Sequence, residues 1–287
     1  MTTAFVLSGG GSLGSVQVGM LRALADHGIE PDLLVGTSAG ALNAAFLAGH
    51  GAGPGSVEAL AEVWTGLHAR SLLTIDARRA LGALAGRSRS LCSDRGLRVL
   101  LDRHLRFSFL EHAPIPLVIV ATDLLTGREV ALRDGDARQA ILASSALPGV
   151  FPTVDHHEMT LVDGGLANNT ALSQAIAAGA DIVYVLSSGY ACALPRPPRT
   201  PLGTAMHALT LLTHQRLVAD VALYTDQVDL VVLPPPCPLR VSPVDFGQAR
   251  ELIRSSHREA LTALARNGGR RDHPAREVGV HGHLRPV

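Results

Sequence analysis

Short apolar runs alternate with longer amphipathic stretches over the first part of the chain. Residues 4–7 and 33–35 are continuous apolar runs typical of buried strands. A glycine-rich turn follows each run, and residues 15–27 and 41–48 then have the composition and spacing of helices. This order predicts parallel strands joined by right-handed crossovers, and therefore an α/β fold.

The same alternation continues toward the carboxyl end. We predict strands at residues 117–121, 129–132, 182–186 and 230–233, and a hairpin within residues 151–162. We predict helices at residues 57–67, 95–105, 137–146, 170–178, 203–224 and 248–265.

Three stretches do not fit this alternation. Residues 70–90 have a weak, helix-like pattern that suggests a flap, and residues 195–201 are a proline-rich connector. Residues 267–287 are rich in Gly, Arg and His without periodicity, which predicts a disordered tail. Because there is no internal repeat and no linker, we predict a single domain over residues 1–266.

The turn after residues 33–35 carries the pattern of a catalytic serine. Its sequence, Gly36-Thr37-Ser38-Ala39-Gly40, fits G-x-S-x-G, the nucleophile elbow. The turn exposes the serine hydroxyl, and Gly36 and Gly40 let strand and helix pass closely. The amino end of the following helix favours developing negative charge. A turn of small residues without chemistry would look the same, so the interpretation of Ser38 as a nucleophile depends on the rest of the chain.

The first turn, residues 9–14 (the glycine loop), allows two interpretations. Gly9, Gly11 and Gly14 fit the dinucleotide fingerprint G-x-G-x-x-G. That fingerprint requires an acidic residue at the end of the second strand, where this chain has the elbow. Alternatively, backbone N–H groups of Gly9, Gly10 and Gly11 form an oxyanion hole for acyl transfer. The elbow favours the oxyanion hole, because a dinucleotide site has no use for a serine there.

A serine nucleophile needs a base. Asp163 follows an apolar run and precedes Gly164-Gly165, so its carboxylate is predicted to emerge at a strand end into a tight turn. His207, His214 and His257 follow later in the chain and are the candidates for a catalytic triad, although none is part of a motif. Asp-Gly pairs also occur in ordinary turns, so the residues alone leave the base open.

Composition narrows the function classes further. The formal net charge is 0, which gives no indication of a nucleic-acid partner. The sequence contains no lysine, which excludes a Ser–Lys dyad and a Schiff-base lysine. The three cysteines are far apart and match no metal or disulfide spacing, which favours a reducing compartment such as the cytoplasm.

Neither a signal peptide nor a membrane span is predicted. The amino terminus lacks a basic region and runs directly into the first strand. No apolar run approaches the roughly 20 residues needed to cross a bilayer. The arginines of residues 266–287 would permit weak peripheral contact with anionic lipid, although a solvated tail is the simpler interpretation.

In this order, the motifs resemble the patatin-like phospholipase family. The resemblance covers about residues 4–190 and rests on the glycine loop, the elbow, the stretch 143–152 and Asp163-Gly164-Gly165. It implies a patatin-like three-layer α/β/α fold with a mostly parallel central sheet. It also implies a catalytic dyad that uses neither a metal nor a cofactor. The implied roles are Ser38 as nucleophile, Asp163 as base, and the N–H groups of Gly9, Gly10, Gly11 and Ala39 as the oxyanion hole.

The chain departs from the family pattern at two positions. Leu13 stands where the family usually has Arg or Lys, which puts the preference for substrate charge in doubt. Ala171 stands where proline is common, two residues after Asn169. We expect the second change to be tolerated, since a helix can begin without proline.

The resemblance implies a lipid acyl hydrolase of the phospholipase A, lysophospholipase or carboxylesterase type. Its substrate would be a lipid or another acyl ester. Two alternatives keep the same fold: an acyltransferase that uses the same dyad, and a lipid-binding protein without catalysis. The sequence predicts neither the acyl chain length nor the headgroup nor the oligomeric state.

Overall fold

An eight-stranded sheet forms the centre of the protein. A computed structural model describes residues 1–75, 82, 87, 90–190, 197, 201–239, 241–266 and 278. The strands in chain order are β1 (Thr3–Leu7), β2 (Leu33–Thr37), β3 (Thr74–Ile75), β4 (Cys92–Ser93), β5 (Leu117–Asp123), β6 (Glu129–Leu132), β7 (Val154–His156), β8 (Met159–Asp163), β9 (Ile182–Leu186) and β10 (Asp229–Leu233). Strands β3 and β4 form a separate pair.

Helices follow most of the central strands. They are α1 (Gly14–Asp26), α2 (Ala39–His50), α3 (Pro54–Gly66), α4 (Ala69–Leu72), α5 (Arg95–His104), α6 (Ala137–Ser144), α7 (Gly165–Asn168), α8 (Leu172–Ala177), α9 (Pro201–Tyr224) and α10 (Ala249–Leu264). The predicted helices are all present. Helix α3 begins three residues before the predicted Val57, because Pro54 occupies the first turn, where no N–H partner is needed.

The sheet is mostly parallel, as predicted. Its order is β10-β9-β1-β2-β5-β8-β7, and β6 pairs with β5. The five strands from β10 to β5 are parallel, whereas β6, β7 and β8 join by antiparallel pairing. The predicted hairpin within residues 151–162 is β7–β8, and it turns at His157, whose φ is 52°.

Alternate residues along the central strands face two different cores. Phe5 and Leu7 of β1 point into a core shared with α1, α2, α3 and α10. Ala4 and Val6 point into a second core shared with α8 and α9. Because side chains alternate across a strand, both faces of the sheet are covered. This confirms the predicted three-layer α/β/α architecture.

Strand β5 brings the ends of β2 and β8 together. Thr37, the last residue of β2, lies opposite Val120. Asp163, the last residue of β8, lies opposite the next residue of β5, Ala121. The two strands run in opposite directions, so their carboxyl ends meet at neighbouring positions of β5.

Backbone hydrogen bonds show that β8 pairs with the same edge of β5 as β2 does, beyond the point where β2 ends. The carbonyl of Pro116 accepts from β2, and the N–H of Leu124 donates to Thr160 in β8. The N–H of Asp123 donates instead to Arg128, just before β6. Even and odd residues of a strand bond to opposite edges, so β2 and β8 share one edge and β6 takes the other.

Several predicted segments lie wholly or partly outside the described residues. The described part of residues 70–90 contains the end of α4 and β3. Most of residues 195–201 and of the predicted tail lies outside. Within the tail, the structure describes Val278, which is buried in the second core. In the described part of the chain, no helix has both the length and the apolar character needed to cross a bilayer.

Helix α2 approaches β1 so closely that only glycine fits at one position. A Cβ on Gly40 would overlap the backbone carbonyl oxygen of Leu7 and would lie 2.7 Å from that of Ser8. A Cβ on Gly36 would lie 2.7 Å from Cα of Ala41. Both elbow glycines are therefore required by space.

Two glycines at the same place in two helices test this contact. Gly40 and Gly55 are the second residues of α2 and α3, but only Gly40 is buried. We expect Gly40→Ala to lower the free energy of unfolding by about 1–3 kcal/mol, because backbone must move. Gly55→Ala meets nothing within 4 Å and should raise it by up to about 1 kcal/mol. Urea denaturation measures both values, and equal effects would contradict the close contact.

Candidate active site

Ser38 stands at the apex of the turn between β2 and α2. Its backbone has φ 53° and ψ −119°, a region that residues other than glycine rarely adopt. Its N–H donates to Ser144 Oγ at 2.8 Å, and that hydroxyl donates to the carbonyl of Val120 at 2.6 Å. Ser144 thus ties the strained turn to β5. The sequence interpretation included Ser144 in the family motif at 143–152 but assigned it no role.

Ser38 and Asp163 are in direct contact. Ser38 Oγ donates a hydrogen bond to Asp163 Oδ2 at 2.6 Å. The other carboxylate oxygen, Oδ1, accepts the N–H of Gly165 at 2.8 Å. The two residues are 125 positions apart in the chain, and the meeting of the β2 and β8 ends beside β5 explains their contact.

Backbone contacts hold Asp163 in place at the end of β8. Its N–H donates to the carbonyl of Ala146 at 3.0 Å. Its carbonyl accepts from the hydroxyl of Thr122 at 2.9 Å. The carboxylate therefore projects from a backbone that is fixed on both sides of the peptide unit.

Burial changes the acidity of the Asp163 carboxyl. The residue is 6% exposed. Loss of solvation raises the pKa of this carboxyl from 3.8 to about 6, and the hydrogen bonds from Ser38 and Gly165 oppose part of that rise. With a pKa of about 6, the group is still mostly ionised at pH 7, and it holds a proton more firmly than an exposed aspartate does.

The glycine loop lies against Ser38. A Cβ on Gly9 would lie 3.1 Å from Cβ of Ser38 and 2.5 Å from Asn169 Oδ1. The N–H of Gly9 donates to the carbonyl of Asn169 at 3.2 Å. The prediction of Gly9 as an oxyanion donor is therefore corrected, because its N–H is already engaged.

Three of the predicted N–H donors remain available. Gly10 is partly exposed and Gly11 is exposed, and within the described residues neither backbone N–H has a hydrogen-bond acceptor. The N–H of Ala39, the first residue of α2, also has no hydrogen-bond acceptor among the described residues, and the helix dipole favours negative charge there. Gly10, Gly11 and Ala39 can thus serve a developing oxyanion.

A buried amide network fixes the start of the glycine loop. Gln17 is fully buried, and its Nε2 donates to the carbonyls of Ser8 at 2.7 Å and Leu186 at 3.1 Å. Its Oε1 accepts from Asn43 Nδ2 at 2.8 Å, and Asn43 Oδ1 accepts from Trp64 Nε1 at 2.7 Å. The network satisfies carbonyls at the ends of β1 and β9 and links them to α2, which begins at the elbow.

The supporting glycines of the sequence motifs lie where backbones or side chains approach closely. A Cβ on Gly14 would lie 2.6 Å from the indole of Trp64. A Cβ on Gly164 would overlap the carbonyl of Val120, and one on Gly165 would lie 3.0 Å from Asp163 Oδ1. Together with Gly36 and Gly40, these residues let the site be built from closely packed backbone.

The candidate triad histidines have other surroundings. His257 pairs with Asp26 at 2.7 Å, between α10 and the end of α1. His214 is buried in α9 beside Tyr190, with ring centroids 5.4 Å apart, and His207 is partly exposed in the same helix. Among the described residues, no histidine bonds to Ser38 or Asp163.

Two further observations concern the surroundings of the site. Helix α8 begins directly after Ala171, whose φ is −77°, so it forms without the proline common in the family. Over the described ranges of the chain, no cluster of three or more His, Cys, Asp or Glu side chains has the arrangement of a metal site.

Comparison with known proteins finds relatives of this chain among curated sequences. Curated relatives include the uncharacterized NTE family protein Rv2565 of Mycobacterium tuberculosis (strain H37Rv), 34% identical over 167 residues, which are 57% of this chain and 26% of the relative. Patatin-like phospholipase domain-containing protein 7 of Mus musculus is 29% identical over 191 residues, 65% of this chain and 13% of the relative. The chain thus spans only a small part of the length of these relatives.

Among solved structures, VipD from Legionella pneumophila matches with a TM-score of 0.47 and 13% identity, over 92% of this chain and 66% of that chain. A family model described as patatin-like phospholipase matches residues 5–176, which is more than half of the chain. The glycine loop, the elbow and Asp163 all lie within the matched residues, and the chain belongs to the patatin-like phospholipase family.

Proposed function

We propose that this protein is a serine lipid acyl hydrolase that cleaves carboxylic esters through a Ser38–Asp163 dyad. Family membership supports lipid acyl hydrolysis at the level of the family. The observation that carries the finer proposal is the 2.6 Å hydrogen bond from Ser38 Oγ to a buried carboxylate. A hydroxyl that is hydrogen-bonded directly to a base is the arrangement that nucleophilic catalysis requires.

In the first step, Ser38 Oγ attacks the carbonyl carbon of the ester while its proton passes to Asp163 Oδ2. The C–O double bond opens to an oxyanion, which would face the N–H groups of Gly10, Gly11 and Ala39. Donors fixed before the reaction stabilise such a charge without reorganisation, and one donor contributes about 3–4 kcal/mol. Collapse of the intermediate expels the alcohol, which takes the proton from Asp163, and leaves an acyl group on Ser38.

Water completes the cycle. Asp163 accepts a proton from water as the water oxygen attacks the acyl-enzyme, and a second oxyanion forms in the same place. Its collapse releases the carboxylic acid and returns the proton to Ser38 Oγ. A carboxyl with a raised pKa suits this exchange, because it must both take and return a proton near neutral pH.

Replacing either member of the dyad tests the proposal. We expect Ser38→Ala to lower kcat for p-nitrophenyl butyrate by about 10⁴-fold or more, because the nucleophile is lost. Asp163→Asn should lower kcat by about 10²–10⁴-fold, because the amide cannot accept the proton. The rate at which each variant releases fatty acid from phospholipid vesicles should fall by a similar factor.

Two substitutions of the same kinds outside the site serve as controls. Asp155→Asn removes an exposed carboxylate on β7, and Ser256→Ala removes a buried hydroxyl between α10 and α1. Both should retain wild-type kcat. Undiminished turnover by Ser38→Ala or by Asp163→Asn would refute the proposed catalytic dyad.

The raised pKa of Asp163 predicts the pH dependence. The base must be ionised, so kcat/KM should fall as the pH drops through about 6. A normal aspartate would place this fall near its ordinary pKa of 3.8. A pH–rate profile from 4.5 to 8 with a rapidly cleaved ester measures the midpoint, and a constant rate over that range would contradict the assignment.

A further inference from the structure

The glycine loop is held by a segment that lies outside the matched family region. We define this segment, the strap, as Leu239 together with residues 241–246, between β10 and α10. Given the acyl-hydrolase function proposed above, we propose that the strap holds the N–H groups of Gly10 and Gly11 in their reactive orientation. In this proposal, Ser12 and Leu13 are positioning residues through which the strap acts.

Ser12 joins the strap by two hydrogen bonds. Its N–H donates to the carbonyl of Pro243 at 2.8 Å. Its hydroxyl donates to the carbonyl of Ser242 at 3.0 Å. The side chain is buried, so water does not compete for these bonds. They fix the residue directly after the two candidate oxyanion donors.

Gly11 is shaped by the same contact. Its φ is +59°, and a Cβ there would overlap the carbonyl oxygen of Pro243. Consecutive glycines have wide conformational freedom, so a loop of this composition needs an external constraint to hold its N–H groups in one direction. The carbonyl of Pro243, between Gly11 and the N–H of Ser12, supplies that constraint.

Leu13 and Leu239 of the strap meet the same glycine, Gly189. It is 9% exposed and belongs to the main core. Leu13 Cδ1 and Leu239 Cδ2 both flank Gly189, at 3.8 Å and 2.9 Å from the position that a Cβ would take there. The side chain at the position where the family usually has a basic residue therefore lies beside Gly189, as does Leu239 of the strap.

The far end of the strap is anchored as well. Phe246 stacks on Trp64, with ring centroids 6.4 Å apart, and the same indole lies against Gly14 at the end of the glycine loop. Helix α10 begins three residues after Phe246, at Ala249. Strap and loop are thus fixed to one another at both ends.

Removal of the Ser12 hydroxyl tests the proposal. We expect Ser12→Ala to lower kcat for p-nitrophenyl butyrate by about 10-fold or more with little change in KM, because small displacements of positioned groups act on the transition state. Ser256→Ala is the matched control, since it also removes a buried hydroxyl that donates to a backbone carbonyl. It should leave kcat unchanged.

An alkyl trifluoromethyl ketone provides a second readout. Ser38 Oγ adds to its carbonyl carbon, the proton passes to Asp163, and the oxyanion faces the loop. In Ser12→Ala the inhibition constant should rise by the same factor by which kcat/KM falls. An unchanged kcat and inhibition constant in Ser12→Ala, or an equal loss in Ser256→Ala, would overturn the positioning role.

Hydrogen exchange separates this proposal from the proposed function. Backbone amides of residues 9–13 should exchange faster in Ser12→Ala than in the wild type, whether or not the protein hydrolyses esters. If Ser38→Ala retained full turnover while exchange still rose in Ser12→Ala, the proposed dyad would be refuted, and the holding of the glycine loop by the strap would be supported. Unchanged exchange of the loop amides in Ser12→Ala would refute the holding of the glycine loop by the strap.

Substitution of Leu13 gives an independent variant. Leu13→Met should keep the strap packed and retain activity, whereas Leu13→Arg should lower kcat on both neutral esters and anionic phospholipid vesicles. If Leu13 affected only the recognition of charge, Leu13→Arg would raise activity on anionic lipid and leave neutral esters unaffected. That result would contradict the role of Leu13 as an anchor.

Discussion

The contact between Ser38 Oγ and Asp163 Oδ2 is the interaction on which the proposed chemistry depends. It exists because β2 and β8 approach from opposite directions along one edge of β5, so that their last residues face neighbouring positions. The place that holds the carboxylate also removes it from water, and this burial raises its pKa. Position and basicity therefore have the same structural cause.

The site is built largely from backbone, and this explains its demand for small residues. The elbow lies so close to β1 and the start of α2 that Gly36 and Gly40 have no room for a side chain. The glycine loop is as closely packed, against Ser38 on one side and Pro243 on the other. Backbone N–H groups at an exposed loop can meet a substrate, but they need outside constraints to keep one direction. The buried Gln17 network and the strap act on the two ends of that loop.

Local patterns were sufficient to predict the strands of the central sheet and the longer helices. Apolar runs and glycine turns mark β1, β2 and α2. The absence of an acidic residue at the end of β2 distinguishes this turn from a dinucleotide site. Contacts between distant segments could not be predicted in this way. The bond from Gly9 N–H to Asn169, the support of Ser38 by Ser144 and the strap on Ser12 all join residues more than 100 positions apart, and no local spacing records them.

Activity-based labelling of the folded protein tests the central claim most directly. A fluorophosphonate forms a bond to a serine oxygen only where the hydroxyl is activated and its charge is stabilised. The account predicts one label per chain, located on Ser38 by peptide mass spectrometry, and no label on Ser38→Ala protein with an unchanged circular dichroism spectrum. Absence of labelling in the folded wild-type protein, or a label on another serine, would contradict Ser38 as the nucleophile.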